Sequence, residues 1–227
     1  MHGEAKADPP PRNSVNTRGR ILTSAQRAFS SMDYSQAKIS DIAKDAGVTQ
    51  ALVIRYFESK EKLFETALSA AIRQRWTELD VRIEQGRSEV DAGVDRRRFG
   101  ELVAEQMIYD ELCGPDPFAM AVYASSNPSA RAIATALLKA RMVKVVSKWL
   151  GEEPATVRAT EVLAMCAGLF AVRRLLPLDP AQGDCDPQFR SWFVAAVQAI
   201  ADCPASDVPK NRSQITAAAT TCPLSTA

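Results

Sequence analysis

The sequence predicts an all-α protein with a small three-helix domain at its N-terminal end and a larger helical domain after it. Apolar residues recur at every third or fourth position through most of the chain, which is the spacing of one helical face. The strict alternation that is typical of strands is weak everywhere. Proline also stands at the start of several apolar segments, and a helix tolerates proline in its first turn.

Length and composition are those of a globular protein. The chain has 227 residues, 46% hydrophobic and 24% charged, which suffices for one or two domains with a sizeable core. Residues 1–15 are polar with three consecutive prolines, and residues 205–227 are rich in Pro, Ser, Thr and Ala, so we expect both to be disordered. The two domains are predicted to span residues 16–62 and 63–204.

No segment of the sequence indicates export or a membrane. The N-terminal end lacks the apolar stretch of a signal peptide. No apolar run reaches the length that spans a bilayer. We therefore expect a cytoplasmic protein that does not use a membrane as a partner.

The first predicted helix carries one apolar face and ends in a loop. The face consists of apolar residues at helical spacing: Ile21, Leu22, Ala25, Ala28 and Phe29. The segment from Met32 to Gln36 breaks this spacing and is predicted to be a loop.

Two short helices separated by a tight turn are predicted next. Ile42, Ala43 and Ala46 give the first of them an apolar face. Gly47 closes this helix, because glycine tolerates the left-handed conformation that ends a helix. Thr49 is placed to cap the following helix, since its hydroxyl can accept a free backbone N–H.

The second short helix has an inward and an outward face. Its inward bulk comes from Val53, Tyr56 and Phe57. A helix of this kind enters the major groove of DNA with its N-terminal residues toward base edges. Glutamine can bond adenine twice, and small or apolar groups can touch the thymine methyl. The predicted base-facing residues are Thr49, Gln50, Ala51 and Leu52.

Basic and hydroxyl side chains flank this helix pair and suit contacts to phosphates, which fix the docking register on DNA. The predicted phosphate-binding residues are Arg18, Lys38, Ser40, Lys44, Arg55, Tyr56 and Lys60. The helix–glycine–helix pattern alone also fits a plain helical hairpin. The whole stretch, with its arginine-rich start and the Ser59–Phe64 continuation, is more specific.

Residues 18–68 resemble the N-terminal domain of the TetR (tetracycline repressor-like) family of bacterial transcription regulators. The stretches that match are Ile42–Thr49 and Arg55–Leu63. The resemblance implies a homodimer that binds a pseudo-palindromic operator in double-stranded DNA, usually as a repressor released by a small ligand. Leu52 and Ile54 depart from the family, where Thr and Tyr are frequent, so the operator sequence should differ accordingly.

The charge distribution leaves one alternative open. The formal net charge is only +1, so any nucleic-acid surface has to be local. Basic residues do cluster between residues 12 and 62, around the predicted recognition helix. The alternative is a helical protein-interaction adaptor that has this fold and does not bind specific DNA.

Catalytic and metal-binding residues are poorly represented. The single histidine is His2, so the chain has no histidine base within its predicted domains. The five cysteines are scattered and form no Cys-x-x-Cys pair. We predict no enzyme activity, no metal site and no cofactor.

The C-terminal half is predicted to be a series of helices. A long helix should run from Lys60 to about Gln85, followed by a loop over residues 86–93. The further helices are predicted at residues 96–113, 117–125, 128–150, 154–176 and 187–202.

Two sets of residues in this half are candidate binding surfaces. The last two predicted helices carry more apolar residues than one helical face holds, which predicts either a dimer interface or intramolecular core. These residues are Val162, Cys166, Leu169, Phe170, Phe189, Trp192, Phe193 and Val197. The middle helices offer residues that either line a pocket for a small, largely apolar effector or fill the core: Met107, Tyr109, Met120, Tyr123, Met142 and Trp149.

Overall fold

A computed structural model describes residues 12–89, 98–108, 115–151, 155–182 and 185–202. Every regular element within these ranges is a helix, which confirms the all-α prediction. The predicted disordered tail, residues 205–227, lies outside the described residues.

In the described part of the N-terminal half there are four helices: α1 (Arg12–Ser31), α2 (Ile39–Asp45), α3 (Gln50–Phe57) and α4 (Lys60–Glu89). Helix α1 begins inside the segment 1–15 that was expected to be disordered, and residues 1–11 are not described. The predicted loop from Gly86 is wrong at its start, because α4 continues to Glu89. One glycine costs a helix only about 1 kcal/mol, which the surrounding helix formers offset.

Within the described residues, six further helices form the C-terminal half, and they fall inside the five predicted segments, because the predicted helix 128–150 is divided into two. They are α5 (Phe99–Ile108), α6 (Pro117–Tyr123), α7 (Pro128–Leu138), α8 (Lys144–Leu150), α9 (Ala155–Phe170) and α10 (Pro187–Asp202). Turns of π-helix, Lys139–Val143 and Ala171–Leu175, join α7 to α8 and extend α9. Asp116 and Asn127 cap α6 and α7, each accepting backbone N–H groups of the first turn.

An aromatic cluster holds the N-terminal half together. Phe29 of α1 and Phe64 of α4 pack edge to face with ring centroids 5.2 Å apart, and Tyr34 lies against both rings at 5.6 Å and 5.3 Å. Tyr34 is buried although it stands in the predicted loop. Burial raises the pKa of its phenol above the ordinary value. The loop after α1 is therefore fixed to the core.

The same loop attaches the N-terminal helices to the C-terminal half. The backbone N–H of Tyr34 donates to the carbonyl of Tyr123 at the end of α6, at 2.9 Å. The Ser126 hydroxyl donates to the carboxylate of Asp33 at 2.6 Å, and this bond lowers the pKa of Asp33. Asp33 is thus ionised at neutral pH and loses the bond only as the pH falls through its lowered pKa. These bonds join α1 and α6 at one junction.

Helices α5 and α10 pack against each other. Phe99 of α5 and Phe193 and Val197 of α10 are buried. A β-carbon at Gly100 would collide with the carbonyl of Val194, so glycine lets the two backbones approach. Trp149 stacks on Phe99 with ring centroids 4.3 Å apart.

Most of the predicted dimer-interface residues lie in the chain's own core. These side chains are buried in a single chain: Val162, Cys166, Leu169, Phe170, Phe193 and Val197. Trp192 is 55% exposed and Phe189 is half-buried, so only these two can meet a partner without rearrangement. The reason is that α9 and α10 each pack an apolar stripe inward against the bundle. Burial also raises the pKa of the Cys166 thiol to about 12.

The predicted pocket residues separate in the same way. Met120 and Met142 are fully buried, and Met107 is nearly so. The Trp149 ring stacks on the ring of Phe99. These residues act as core filler. Tyr123 lines a cleft, which is described below. Tyr109 lies outside the described residues.

The segment Ala155–Leu175 is long and apolar enough to cross a membrane by length and composition alone. The core helix of a soluble protein passes the same test. The buried Val162 and Cys166 alternate with the exposed Glu161 and Gly168 along this helix. Such a pattern is typical of a helix with one face against a protein core.

Candidate nucleic-acid interface

The N-terminal turn of α3 is presented to solvent. Thr49 has extended backbone geometry, and its hydroxyl accepts the N–H of Leu52 at 3.3 Å, so it caps the helix as predicted. Gln50 and Ala51 are exposed and Leu52 is half-buried. The side chains that the sequence predicts to face bases therefore lie at one open helix end.

The opposite face of α3 anchors it to the core. Val53 and Phe57 are buried, and Tyr56 packs partly against the same cluster. Helix α4 follows after one turn, with the Ser59 hydroxyl accepting the N–H of Lys62 at 3.1 Å. This fixed back face leaves α3 little freedom, as a helix that has to fit a groove in one orientation requires.

The turn between α2 and α3 depends on Gly47 and on an arginine that the sequence patterns did not single out. Gly47 adopts a left-handed φ of 63°. The Arg20 guanidinium donates to the carbonyl of Ala46 and to that of Gly47, the latter at 3.3 Å. A β-carbon at position 47 would lie 2.6 Å from the Arg20 Nη2 atom. Arg20 thus occupies the carbonyl end of α2, where a cation is favourable.

Three cations near α3 are left for a ligand. Lys38, Lys44 and Arg55 are exposed, and none of their side chains forms a hydrogen bond or ion pair within the described part of the chain. Ser40 is exposed beside them, and Tyr56 keeps part of its surface open. Solvated cations around an exposed helix end provide the electrostatic part of nucleic-acid binding.

Two of the predicted phosphate-binding cations already have intramolecular contacts. The Lys60 ammonium donates to the carbonyl of Tyr34 and lies 4.3 Å from the centroid of the Tyr34 ring. Burial lowers the pKa of Lys60. Arg18 lies 5.0 Å above the ring of Phe57 and is still exposed. Lys60 is therefore held against the loop after α1, while Arg18 can still meet a phosphate.

Other basic residues of the N-terminal half are neutralised by carboxylates. Arg27 bridges to Asp45 at 2.9 Å, and Lys62 bridges to Glu65 at 2.9 Å. Residues 12–62 hold nine basic and five acidic residues, and the pairing removes some of the nine from any ligand surface. The positive charge that remains available includes Lys38, Lys44 and Arg55, together with Arg18 above the Phe57 ring.

Comparisons with known families bear on both halves of the fold. Residues 21–67 match the family of bacterial regulatory proteins of the tetR type, and residues 98–200 match the tetracyclin repressor-like C-terminal domain. The chain belongs to the TetR family. It is a DNA-binding transcriptional regulator with a helix-turn-helix formed by α2, the Gly47 turn and α3.

Individual relatives of this TetR-family chain agree with that assignment. A stretch of 50 residues is 44% identical to the uncharacterized HTH-type transcriptional regulator YdgC of Bacillus subtilis (strain 168) and covers 22% of this chain. That match spans only 26% of YdgC.

Solved structures share the fold over most of the chain. The TetR-family regulator SCO0857 of Streptomyces coelicolor is 24% identical with a TM-score of 0.51, over 87% of this chain and all of its own. NalD of Pseudomonas aeruginosa is 18% identical with a TM-score of 0.56, over 82% and 97%. A transcriptional regulator of Saccharomonospora viridis in complex with choline is 18% identical with a TM-score of 0.60, over 82% and 96%. At these identities the likeness concerns the fold.

Proposed function

We propose that this regulator is a homodimeric repressor that binds a pseudo-palindromic operator and is released from it by a small, largely apolar ligand. The observation that carries the proposal is the open N-terminal turn of α3, flanked by three cations that have no partner in the described chain. We assign the chain a binding function in the bacterial cytoplasm and no catalytic function.

Base reading is assigned to the first turn of α3. Gln50 can form two hydrogen bonds with an adenine edge, and the methyl group of Ala51 and the side chain of Leu52 suit the thymine methyl. The Thr49 hydroxyl accepts the Leu52 N–H and can still donate to a base. Leu52 provides an apolar contact and no hydrogen bond, which favours A·T pairs at its position.

Phosphate binding is assigned to the side chains around that turn. Lys38, Lys44 and Arg55 are the principal candidates because they are exposed and have no intramolecular partner within the described residues. Arg18, Ser40 and Tyr56 complete the set. Lys60 is the weakest candidate, because its ammonium group would have to leave the Tyr34 carbonyl.

Homodimerisation is supported by the outward faces of α9 and α10. The exposed positions are mostly small or apolar and follow helical spacing: Val157, Thr160, Ala164 and Gly168 on α9, and Ser191, Trp192, Ala195 and Ala199 on α10. Exposed apolar surface of this extent is typical of an interaction site, and a twofold dimer uses the same patch on both subunits.

A charge in this surface should break the dimer. We expect Trp192→Glu to yield monomers in sedimentation equilibrium at concentrations where the wild type is dimeric. Val122→Glu is the matched control, since Val122 is also an exposed large hydrophobic residue but lies on α6. A dimer that survives Trp192→Glu contradicts the assignment of the interface.

Release by a ligand is supported by the junction between the two halves. The bonds Asp33–Ser126 and Tyr34–Tyr123 attach α1 to α6, so a shift of α6 would move the DNA-binding helices. A ligand can only shift this equilibrium by its difference in affinity for the two arrangements. NalD is described as a secondary repressor of the MexAB-OprM multidrug efflux pump, and the Saccharomonospora relative binds choline. The first description supports repression for this chain, and the second supports the binding of a small molecule.

Selection of bound duplexes from a random DNA pool, followed by sequencing, tests the proposal. We expect an enriched inverted repeat whose half-sites lie about one helical turn apart. A well-folded dimer that enriches no sequence would contradict the repressor and favour the helical adaptor.

A further inference from the structure

A cleft of about 260 Å³ opens between the DNA-binding helices and the C-terminal half. One wall is Ser30 of α1, and the others come from α6 and the residues before it and from the end of α9 and the π-helical turn after it: Pro115, Asp116, Ala119, Tyr123, Phe170 and Arg174. Ser30 stands three residues before Asp33, which makes the hydrogen bond to Ser126. The cleft therefore lies beside the junction that attaches α1 to α6.

The two charged residues of the cleft differ in their availability. The Asp116 carboxylate accepts the N–H groups of Phe118 and Ala119 and pairs with Arg75 at 3.6 Å. Arg174 is exposed, and its guanidinium forms no hydrogen bond or ion pair within the part of the chain that the structure describes. Among the described residues, the cleft thus presents one unpaired guanidinium, a group that binds a carboxylate through two parallel N–H donors.

Aromatic and small apolar side chains form part of the remaining lining. Phe170 stacks on Phe118 with ring centroids 6.5 Å apart, and Ala119 and Tyr123 lie on the facing helix α6. The Tyr123 hydroxyl makes no hydrogen bond to any residue in the described ranges, so it can serve a ligand. The volume is below the roughly 300–1,000 Å³ of pockets for drug-sized ligands, which limits the ligand to a compact one.

We propose that this cleft binds a small carboxylate with a compact apolar body, such as an aryl carboxylate, and that it is the effector site of the regulator. The carboxylate pairs with Arg174, and the apolar body lies against Phe170 and Ala119. The role as effector site rests on the proposed ligand-released repressor, whereas the binding of the carboxylate does not. A ligand there touches α1 and α6 at once, so its fit depends on how the two halves are arranged.

Calorimetric titration with benzoate tests the binding. We expect benzoate to bind the full-length wild type and to bind Arg174→Ala at least about tenfold more weakly, the loss of one charge-assisted hydrogen-bonded pair. Arg141→Ala is the matched control, because Arg141 is likewise an exposed arginine in a π-helical turn. Its affinity for benzoate should equal that of the wild type.

Benzamide separates recognition of charge from recognition of shape. It has nearly the same size as benzoate but no charge, so we expect it to bind at least about tenfold more weakly. The proposed carboxylate site is contradicted by any of three results: benzoate does not bind, Arg174→Ala binds benzoate as tightly as the wild type does, or benzamide binds as tightly as benzoate.

The effect on DNA is measured separately, with the duplex selected from the random pool. We expect benzoate to lower the affinity of the wild type for this duplex and to leave that of Arg174→Ala nearly unchanged. Benzoate binding without any effect on DNA affinity would overturn the role as effector site. If no duplex is selected but benzoate binds through Arg174, the repressor proposal fails, whereas the proposal that the cleft binds a carboxylate is supported.

Discussion

The two halves of the molecule differ in whether they bury arginine side chains. In the N-terminal half, Lys38, Lys44 and Arg55 are exposed and have no partner among the described residues. In the C-terminal half, Arg158 and Arg173 are only 3% and 7% exposed and point into the fold. Their guanidinium groups donate to backbone carbonyls at helix ends, Arg158 to Ala201 at 3.2 Å and Arg173 to Ile108 at 3.3 Å.

The comparison shows that a count of arginines and lysines does not locate a nucleic-acid surface. A buried guanidinium with carbonyl partners stabilises the fold, because those carbonyls would otherwise be unsatisfied. An exposed cation without a partner contributes little to the fold and is available to a phosphate. Arg20 lies between these cases, since it is exposed but holds the carbonyl end of α2.

The largest effect should come from a buried arginine. We expect Arg173→Met to lower the free energy of unfolding by about 2–4 kcal/mol, because the carbonyls of Ala181 and Ile108 lose their donor. The neighbouring Arg174 is exposed, so Arg174→Met should change stability by less than about 0.5 kcal/mol. Urea unfolding at one protomer concentration measures both. Equal effects of the two substitutions would erase the distinction between buried and exposed arginines.

The turn before the recognition helix should follow. We expect Gly47→Ala to cost about 1–2 kcal/mol of stability, since alanine is strained at a φ of 63°. Its β-carbon would also displace the Arg20 guanidinium, so the affinity for the selected duplex should fall beyond the loss of folded protein.

Gly19→Ala is the matched control for this turn. Gly19 lies in α1 with nothing within 4 Å of the added carbon, so the change should stabilise the protein by about 0.5–1 kcal/mol. Thermal unfolding and binding to the selected duplex measure both variants. If folded Gly47→Ala binds DNA as tightly as the wild type does, Arg20 and Gly47 do not position α3 for binding.

Two lysines sharpen the comparison within the DNA-binding half. We expect Lys44→Ala to weaken binding to all duplexes about equally and to reduce the slope of log affinity against log salt by about 1 per subunit. Lys60→Ala should leave the slope nearly unchanged and instead lower stability, because Lys60 is bound to Tyr34. Fluorescence anisotropy across a salt series measures the slopes. A larger change of slope for Lys60→Ala than for Lys44→Ala would reverse these assignments.

The smallest effect is expected for a surface ion pair. The side chains of Arg27 and Asp45 are 66% and 43% exposed, so solvent screens their interaction. Arg27→Ala should therefore change the free energy of unfolding by less than about 1 kcal/mol, and addition of salt should shrink the difference further. A loss above about 2 kcal/mol in urea unfolding would show that the pair is worth more than its exposure suggests.

Local patterns predicted most of the fold. The periodicity of apolar residues gave the helices, with α10 at its predicted bounds, and local chemistry identified the Gly47 turn and the Thr49 cap. The spacing of apolar residues could not decide which face of α9 and α10 turns inward, because both faces of these helices are largely uncharged. The packing of α10 against α5 and of α9 against α8 decides which faces are buried, and the contacts between α10 and α5 join residues far apart in the sequence.

The contacts that organise the sites lie beyond local patterns. Arg20 reaches Ala46 across 26 positions, and Asp33 reaches Ser126 across 93. No periodicity or motif relates residues at such separations. The sequence weakly indicates that Tyr34 is buried, because an aromatic residue in a polar loop has a large apolar surface to bury. The position of Lys60 in the motif predicts a phosphate contact, whereas the structure shows its side chain bound to Tyr34.

Gln50→Ala tests most directly the claim that the first turn of α3 reads bases. The affinities for the selected inverted repeat and for a scrambled duplex of the same length are measured for this variant, for the wild type and for Lys44→Ala. We predict that Gln50→Ala lowers the ratio of the two affinities, which corresponds to a loss of about 1–3 kcal/mol of binding free energy per half-site for the selected repeat relative to the scrambled duplex. Lys44→Ala should leave the ratio unchanged. An equal loss of affinity for both duplexes with Gln50→Ala would contradict the claim.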